Sequence, residues 1–213
     1  MIDFKGAIFD LDGTIIDSMG VWEKIDRDFF NKRQIDMPHD YIEIVNSMKF
    51  EDVAKYTIKR FNLNETEEDI LRELREMAID EYTNNISLKP FVKEYLTSLK
   101  KQNIKIALAT SSPKELYNPV LKNNGVYELF DCFVSINEVN RDKRYPDIYY
   151  LACERLGVLP KECIGFEDIL IGIKSMKKIN IKSIGVYDKS SSHEIEEIKK
   201  FSDKFIYSFK ELI

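Results

Sequence analysis

The chain has 213 residues, of which 44% are hydrophobic and 32% charged, a composition typical of soluble globular proteins rather than disordered or membrane-embedded ones. Its formal net charge of -5 argues against nonspecific nucleic-acid binding, which depends on many lysine and arginine contacts to phosphates. The three cysteines, Cys132, Cys153 and Cys163, lack zinc-ligand spacing, and no apolar run is long enough to span a membrane, so we expect a reduced, cytoplasmic protein with no membrane partner.

The first predicted element is a buried β-strand over Lys5–Asp10, a short apolar run that stops at acidic and glycine residues. The residues that follow, Asp12, Gly13 and Thr14, have the chemistry of a turn. Asp10 and Asp12 should therefore stand at the carboxyl end of the first strand.

Residues 16–86 are predicted to form an all-helical insert, because apolar residues recur there at helical spacing and almost no strand pattern is present. Thr66 followed three residues later by Asp69 indicates a helix start. Residues 1–15 and 87–213 then form one catalytic core, and the insert forms a cap domain.

From Pro90 onward, helices and strands alternate. The helices are expected over Pro90–Lys101, Pro113–Asn123, Pro146–Leu156 and Ile169–Lys178, and the strands over Ile104–Thr110, Phe130–Ile136, Cys163–Phe166, Ile181–Val186 and Phe205–Tyr207. Strands separated by helices of this length predict right-handed crossovers and a mostly parallel sheet covered on both faces. The fold class is therefore α/β.

Parallel sheets bind ligands beyond the carboxyl ends of their strands, so the residues at those ends are the candidates for chemistry. They are Asp10 and Asp12 after the first strand, Thr110, Ser111 and Ser112 after the second, Lys143 beyond the third, and Glu167 with Asp168 after the fourth. Taken singly, each has an ordinary interpretation as a turn, a helix cap or a surface charge, and a cap is the preferred interpretation of Ser112. Their joint position at one sheet edge favours a common site.

Acidic residues gathered at one edge repel one another and need a cation. Oxygen ligands from Asp10, Glu167 and Asp168, with the backbone carbonyl of Asp12, suit Mg²⁺ rather than zinc. Asp10 is the expected nucleophile of a phosphoryl transfer, and Asp12 the expected acid and base.

The remaining candidates are expected to hold the phosphoryl group. Thr110 offers a hydroxyl, the backbone near Ser111 leads into a helix N-terminus, and Lys143 supplies positive charge. The substrate expected for this arrangement is a small phosphate monoester.

The ordered motifs resemble those of the haloacid dehalogenase-like superfamily. They are Phe9–Thr14 (FDLDGT), Ala109–Ser111, Lys143 with Pro146 and Asp147, and Gly165–Asp168 with Gly172. The resemblance covers the whole chain, and the position of the helical insert resembles the subgroup of β-phosphoglucomutase and phosphoglycolate phosphatase. It implies a Rossmann-like core, Mg²⁺ and the residue roles given above.

Departures from the family pattern bear on the reaction. Arg144 follows Lys143 where the family usually has proline, and Trp22 takes the place of the cap histidine of β-phosphoglucomutases. Phe50 falls where their cap presents an arginine for the second phosphate, and Lys49 is a looser substitute because it cannot make a bidentate contact. Trp22 and Lys49 are therefore candidate cap residues for substrate, and packing within the cap is the simpler interpretation of Trp22 and Phe50.

Weaker binding of a second phosphate group by the cap favours hydrolysis over phosphate transfer within the sugar. The leading interpretation is therefore a Mg²⁺-dependent phosphatase of small phosphorylated metabolites. We expect it to be a monomer or a homodimer. The first alternative is a β-phosphoglucomutase with the same core residues. The second is a signalling module phosphorylated on aspartate, which the large insert and the position of Asp12 disfavour.

Overall fold

The structure is a computed structural model that describes residues 4–45, 48 and 50–213, with only the backbone described at residues 43, 50 and 51. The chain divides into two compact units. One comprises Met1–Met19 with Ile86–Ile213, and the other Gly20–Asn85. The division into a catalytic core of residues 1–15 and 87–213 and a cap of residues 16–86 stays a prediction.

The first unit contains a six-stranded sheet in which all the paired strands are parallel. The strands are β1 (Gly6–Phe9), β2 (Lys105–Thr110), β3 (Cys132–Ser135), β4 (Cys163–Glu167), β5 (Lys182–Val186) and β6 (Lys204–Ile206). Their order across the sheet is β3-β2-β1-β4-β5-β6, so the first strand lies in the interior of the sheet between β2 and β4. The predicted α/β fold with a parallel sheet is confirmed.

Five α-helices connect these strands: α5 (Val92–Lys101), α6 (Lys114–Asn123), α7 (Asp147–Leu156), α8 (Leu170–Lys177) and α9 (Ile195–Phe201). The predicted helices and strands are confirmed to within two residues at each end. Helix α9 was not predicted from the sequence; it forms the crossover from β5 to β6.

The two faces of the sheet have different cores because successive strand residues point to opposite sides. Ile8 belongs to a cluster that includes Ile148 of α7 and Ile173 of α8. On the opposite face, Phe9 stacks on Phe166 with ring centroids 4.3 Å apart. Burial on both faces explains why β1 is a continuous apolar run rather than an alternating one.

The strand register places the end of β1 beside the end of β4. Phe9 pairs with Phe166, and the backbone N–H of Asp10 donates to the carbonyl of Phe166 at 3.0 Å. The side chains of residues 10 and 167 therefore begin at the same height of the sheet, although they are far apart in the sequence.

The second unit consists of helices α1 (Val21–Lys32), α2 (Tyr41–Val45), α3 (Phe50–Phe61) and α4 (Glu67–Asn84). Its core includes Phe30, which meets Tyr41 and Phe61 edge-on, each at a centroid distance of 4.7 Å. The helix start predicted at Thr66 is confirmed, since Thr66 and Asp69 form a reciprocal capping box. None of the helices in the described ranges has both the length and the apolar character needed to cross a bilayer.

A buried acid in α1 makes the stability of this unit depend on pH. Burial, aided by the charge of Glu23, raises the pKa of Asp26 to about 7. The folded state therefore binds more protons than the unfolded state between about pH 4 and 7, and stability falls as pH rises through that interval. Above pH 7 the buried carboxylate is ionised and the loss is complete.

We therefore expect Asp26→Asn to raise the free energy of unfolding at pH 8 by about 2–4 kcal/mol and to leave it almost unchanged at pH 4. Urea unfolding at both pH values measures this difference. Asp28→Asn on the same helix is the matched control, because Asp28 is exposed. An equal gain for Asp26→Asn at the two pH values would contradict the assignment.

Candidate functional site

Three buried carboxylates meet at the carboxyl ends of β1 and β4. Asp10, Glu167 and Asp168 each present an oxygen within 4.8 Å of the others, and their exposed fractions are 5%, 0% and 1%. Sequence reasoning expected these acids to converge from distant parts of the chain, and the structure places them together.

Lys143 lies within this acidic cluster. Its ammonium donates to Asp10 Oδ1 and, at 2.5 Å, to Glu167 Oε1, and the side chain is buried. The arginine that replaces the usual proline does not interfere, because Arg144 turns back to Asp142, with Nη2 2.6 Å from Oδ2. The lysine therefore reaches the cluster despite the altered motif.

The charges of the cluster are unbalanced, since three carboxylates face one ammonium. Burial raises the pKa of Asp10 well above its ordinary value; Lys143 opposes this rise, and the charges of Glu167 and Asp168 add to it. Burial and the charge of Glu167 raise the pKa of Asp168 to about 7. The pKa of Lys143 is raised, because the attraction of Asp10 and Glu167 outweighs the effect of burial.

These residues fit a divalent cation that prefers oxygen ligands. The donors are carboxylates, and Glu167 Oε2 is buried without a hydrogen-bond partner among the described residues. A buried acceptor without a partner is costly, and a bound cation would satisfy it. Opposite charge would also stabilise the ionised forms of Asp10 and Asp168.

Asp12 has a different environment from Asp10. Its carboxylate accepts hydrogen bonds from Ser18 at 2.7 Å and from Ser112 at 2.6 Å. The Asp12 side chain does not belong to the three-carboxylate group; the ligand expected from sequence was its backbone carbonyl. The two serines hold the carboxylate at the end of β1.

The interpretation of Ser112 as a helix cap is wrong. Helix α6 begins at Lys114 after Pro113, which makes no side-chain cap, and the Ser112 hydroxyl donates to Asp12 instead. The backbone N–H of Ser112 donates to Thr110 Oγ1 at 2.9 Å, which turns the chain sharply after β2. Thr110 is fully buried at the strand end, and Ser111 is exposed beside it.

The turn after β1 packs directly on Asp168. Thr14 Oγ1 donates to Asp168 Oδ1 at 3.0 Å, and Ser191 Oγ to Oδ2 at 3.3 Å. Lys89 donates to the carbonyls of Gly13 and Tyr187 and forms a 2.8 Å ion pair with Asp188. The turn is thereby tied to the loops after β4 and β5.

Gly13 is required at this turn for two reasons. Its φ of +78° lies in the left-handed region, and a Cβ there would stand 2.4 Å from Asp168 Oδ2. We expect Gly13→Ala to destabilise the fold by about 2–4 kcal/mol, from backbone strain together with displacement of Asp168.

Urea unfolding of the purified variants measures this effect. The matched control is Gly20→Ala, because a Cβ at Gly20 meets nothing within 4 Å. The control should change stability by less than about 0.5 kcal/mol. Equal unfolding midpoints for the two variants would show that the close approach to Asp168 is unimportant.

Of the two candidate cap residues, Trp22 and Lys49, the structure describes only the first. Trp22 lies in α1 and is 39% exposed. Lys49 lies outside the described residues.

Sequence reasoning missed three partners of the site acids, Ser18, Ser191 and Tyr149, and also missed Lys89, which holds the turn at Gly13. Tyr149 carried a usable signal, since it shares helical spacing with Cys153 and Leu156, and a tyrosine on a buried helix face needs a hydroxyl partner. The other three had no such signal, because their contacts depend on loop paths.

Comparisons with known proteins agree with the geometry. A sequence profile described as haloacid dehalogenase-like hydrolase matches residues 7–186. Hexitol phosphatase B of Escherichia coli (strain K12) is 26% identical over 182 residues, which cover 84% of this chain and 82% of that protein. β-Phosphoglucomutase of Bacillus subtilis (strain 168) is 30% identical over 199 residues, which cover 85% of this chain and 83% of that protein.

A solved structure shows the same similarity in three dimensions. The crystal structure of β-phosphoglucomutase from Clostridium difficile matches with a TM-score of 0.72 at 25% identity, covering 99% of this chain and 93% of that one. The chain therefore belongs to the haloacid dehalogenase-like hydrolase family. It is an enzyme whose relatives include phosphatases and a phosphoglucomutase.

Proposed function

We propose that the enzyme is a Mg²⁺-dependent phosphatase that hydrolyses a small phosphate monoester, such as a sugar phosphate, through a phosphorylated Asp10. The observation that carries this proposal is the group of three buried carboxylates, two of which, Asp10 and Glu167, are bridged by Lys143. The substrate class is supported by the relatives, which include a hexitol phosphatase and a fructose-1-phosphate phosphatase.

Asp10 is the nucleophile in this mechanism. Its carboxylate oxygen attacks phosphorus, the bond from phosphorus to the substrate oxygen breaks, and an aspartyl phosphate forms. Lys143 already donates to Asp10 and can hold both the ionised carboxylate and the phosphoryl oxygens as negative charge shifts. The Thr110 hydroxyl and the backbone near Ser111 bind the other phosphoryl oxygens.

Asp12 handles the protons. It gives a proton to the departing substrate oxygen, then takes one from the water that attacks the aspartyl phosphate, so that Asp10 and inorganic phosphate are regenerated. The hydrogen bonds from Ser18 and Ser112 keep its carboxyl group at the strand end. Asp12 therefore differs from the nucleophile Asp10 both in its role and in its hydrogen-bond partners, which are two serines rather than Lys143.

Asp10, Glu167, Asp168 and the carbonyl of Asp12 would hold Mg²⁺. When bound, the ion supplies positive charge that balances the carboxylates and polarises a phosphoryl oxygen. The helical unit, Gly20–Asn85, would act as the cap that selects the substrate, with Trp22 and Lys49 as its candidate contacts.

The second candidate is a β-phosphoglucomutase, which the 30% identity to the Bacillus subtilis enzyme favours. A mutase must retain a bisphosphorylated intermediate, and the residues Trp22 and Phe50 replace the histidine and arginine expected for that task. Hydrolysis therefore remains the leading proposal.

A substrate panel with Mg²⁺ tests the proposal. Sugar phosphates, hexitol phosphates, phosphoglycolate and nucleoside monophosphates would be assayed for released phosphate, with Asp10→Asn as control. We expect phosphate release from at least one sugar or hexitol phosphate, dependent on Mg²⁺. Formation of glucose 6-phosphate from β-glucose 1-phosphate without phosphate release would establish the mutase instead.

A further inference from the structure

Glu167 is the most completely buried acid of the site, and its two oxygens have different surroundings. Oε1 accepts hydrogen bonds from Lys143 at 2.5 Å and from the Tyr149 hydroxyl at 2.6 Å. Oε2 has no partner in the described part of the chain. The carboxylate is therefore held by one oxygen, and the other is left for a ligand.

Tyr149 reaches Glu167 from helix α7, which packs across β1, β2 and β3. The ring is 1% exposed, so the hydroxyl has no access to bulk water as an alternative partner. The hydroxyl is the donor in this hydrogen bond, because an ionised carboxylate oxygen can only accept.

Gly172 in α8 provides the space for this contact. A Cβ at Gly172 would stand 2.5 Å from Glu167 Cδ and 2.7 Å from the Tyr149 hydroxyl oxygen. The backbone of α8 therefore lies directly against the hydrogen bond and restricts rotation of the carboxylate. Helix α7, through Tyr149, and helix α8, through its backbone at Gly172, therefore both restrict the orientation of the Glu167 side chain.

We infer that Tyr149 is a positioning residue for the metal site: its hydroxyl fixes Glu167 Oε1 so that Oε2 is presented to the divalent cation. The inference rests on the proposed function, because it assigns Glu167 to the metal. Hydrogen bonds that orient a metal ligand typically change metal affinity by about 10- to 100-fold when removed. Lys143 donates to the same oxygen of Glu167, so the Tyr149 hydroxyl is the second of two donors that fix it.

Tyr149→Phe tests the inference, since it removes the hydroxyl and keeps the ring that packs in the core. The readout is the dissociation constant for Mg²⁺ measured by calorimetry in the absence of substrate. We expect this constant to increase by about tenfold or more, with an unchanged unfolding temperature in metal-free buffer. At saturating Mg²⁺ the KM for the phosphate monoester should stay within about twofold.

Tyr150→Phe is the matched control, because Tyr150 is the next residue of the same helix and is 57% exposed. It should bind Mg²⁺ like the parent. A second variant, Tyr149→Leu, removes the hydroxyl with a different apolar side chain and should weaken Mg²⁺ binding in the same direction.

Three results would overturn the inference. The first is Mg²⁺ affinity in Tyr149→Phe equal to that of the parent, which would leave the proposed function intact. The second is failure of both Tyr149 variants to fold, which would assign the residue to the core alone. The third is absence of Mg²⁺ binding by the parent protein, which would also remove the proposed function.

Discussion

Asp10→Asn is expected to fold normally and to lose phosphate release by about 10⁴-fold or more, as removal of an enzyme's nucleophile does elsewhere. An amide cannot form the aspartyl phosphate, so neither half of the proposed reaction can proceed. The loss should appear in kcat at saturating substrate and Mg²⁺. Rapid-quench experiments should also find phosphate covalently attached to the parent protein and not to the variant.

The fold of this variant should survive because Lys143 keeps Glu167 as a partner at 2.5 Å. Replacing a carboxylate whose pKa is raised by burial also removes one charge from a crowded group. We therefore expect the free energy of unfolding to change by about 1 kcal/mol or less. A variant that unfolds at the parent's urea midpoint but retains the parent's kcat would show that another residue is the nucleophile.

Lys143→Met is expected to impair both activity and stability, because it leaves three buried carboxylates without their ammonium partner. Loss of one preorganised charge should lower kcat by about 10²- to 10³-fold. Stability should fall by about 3–5 kcal/mol, the usual consequence of breaking a buried ion pair. Urea unfolding and steady-state kinetics with the best substrate of the panel measure the two effects.

The stability of this variant should depend on pH and on Mg²⁺. Lys143 lowers the pKa of Asp10, so its removal raises that pKa further and makes the folded state less stable as pH rises from 5 to 8. Mg²⁺ should restore more stability to Lys143→Met than to the parent, because it supplies the missing positive charge.

Lys174→Met in α8 serves as the control, since Lys174 is only partly buried; it forms an ion pair at 3.6 Å with Glu197 and lies over the ring of Phe201, 4.5 Å from its centroid. It should stay within about 0.5 kcal/mol of the parent at each pH. If Lys143→Met were as stable as this control, Lys143 would not be needed to stabilise the three buried carboxylates, and the prediction would be wrong.

Tyr149 links the proposed metal site to the packing of the core. Its ring lies among the residues under the sheet, and its hydroxyl contacts Glu167. A substitution in α7 could therefore alter metal affinity without touching substrate. Such a substitution would change the proposed metal binding and leave Thr110 and Ser111, the residues proposed to bind the phosphoryl group, unaltered.

The sequence determined the order of elements and the position of each acid at a strand end. Both follow from local rules: buried strands are short apolar runs, helices show their own spacing, and parallel strands deliver their carboxyl ends to one edge. Asp10, Lys143, Glu167 and Asp168 could therefore be assigned to one site before their contacts were known. Helix α9 was missed because its charged sequence, IEEIKKF, buries only Ile198.

The tertiary structure alone decided which side chains meet within that edge. Ser112 contacts Asp12 across 100 positions of sequence, and Lys143 contacts Asp10 across 133. Such contacts depend on side-chain direction, loop path and the absence of a Cβ at Gly13 and Gly172. Local pattern carries no information about those quantities, because they arise only when elements pack against one another in three dimensions.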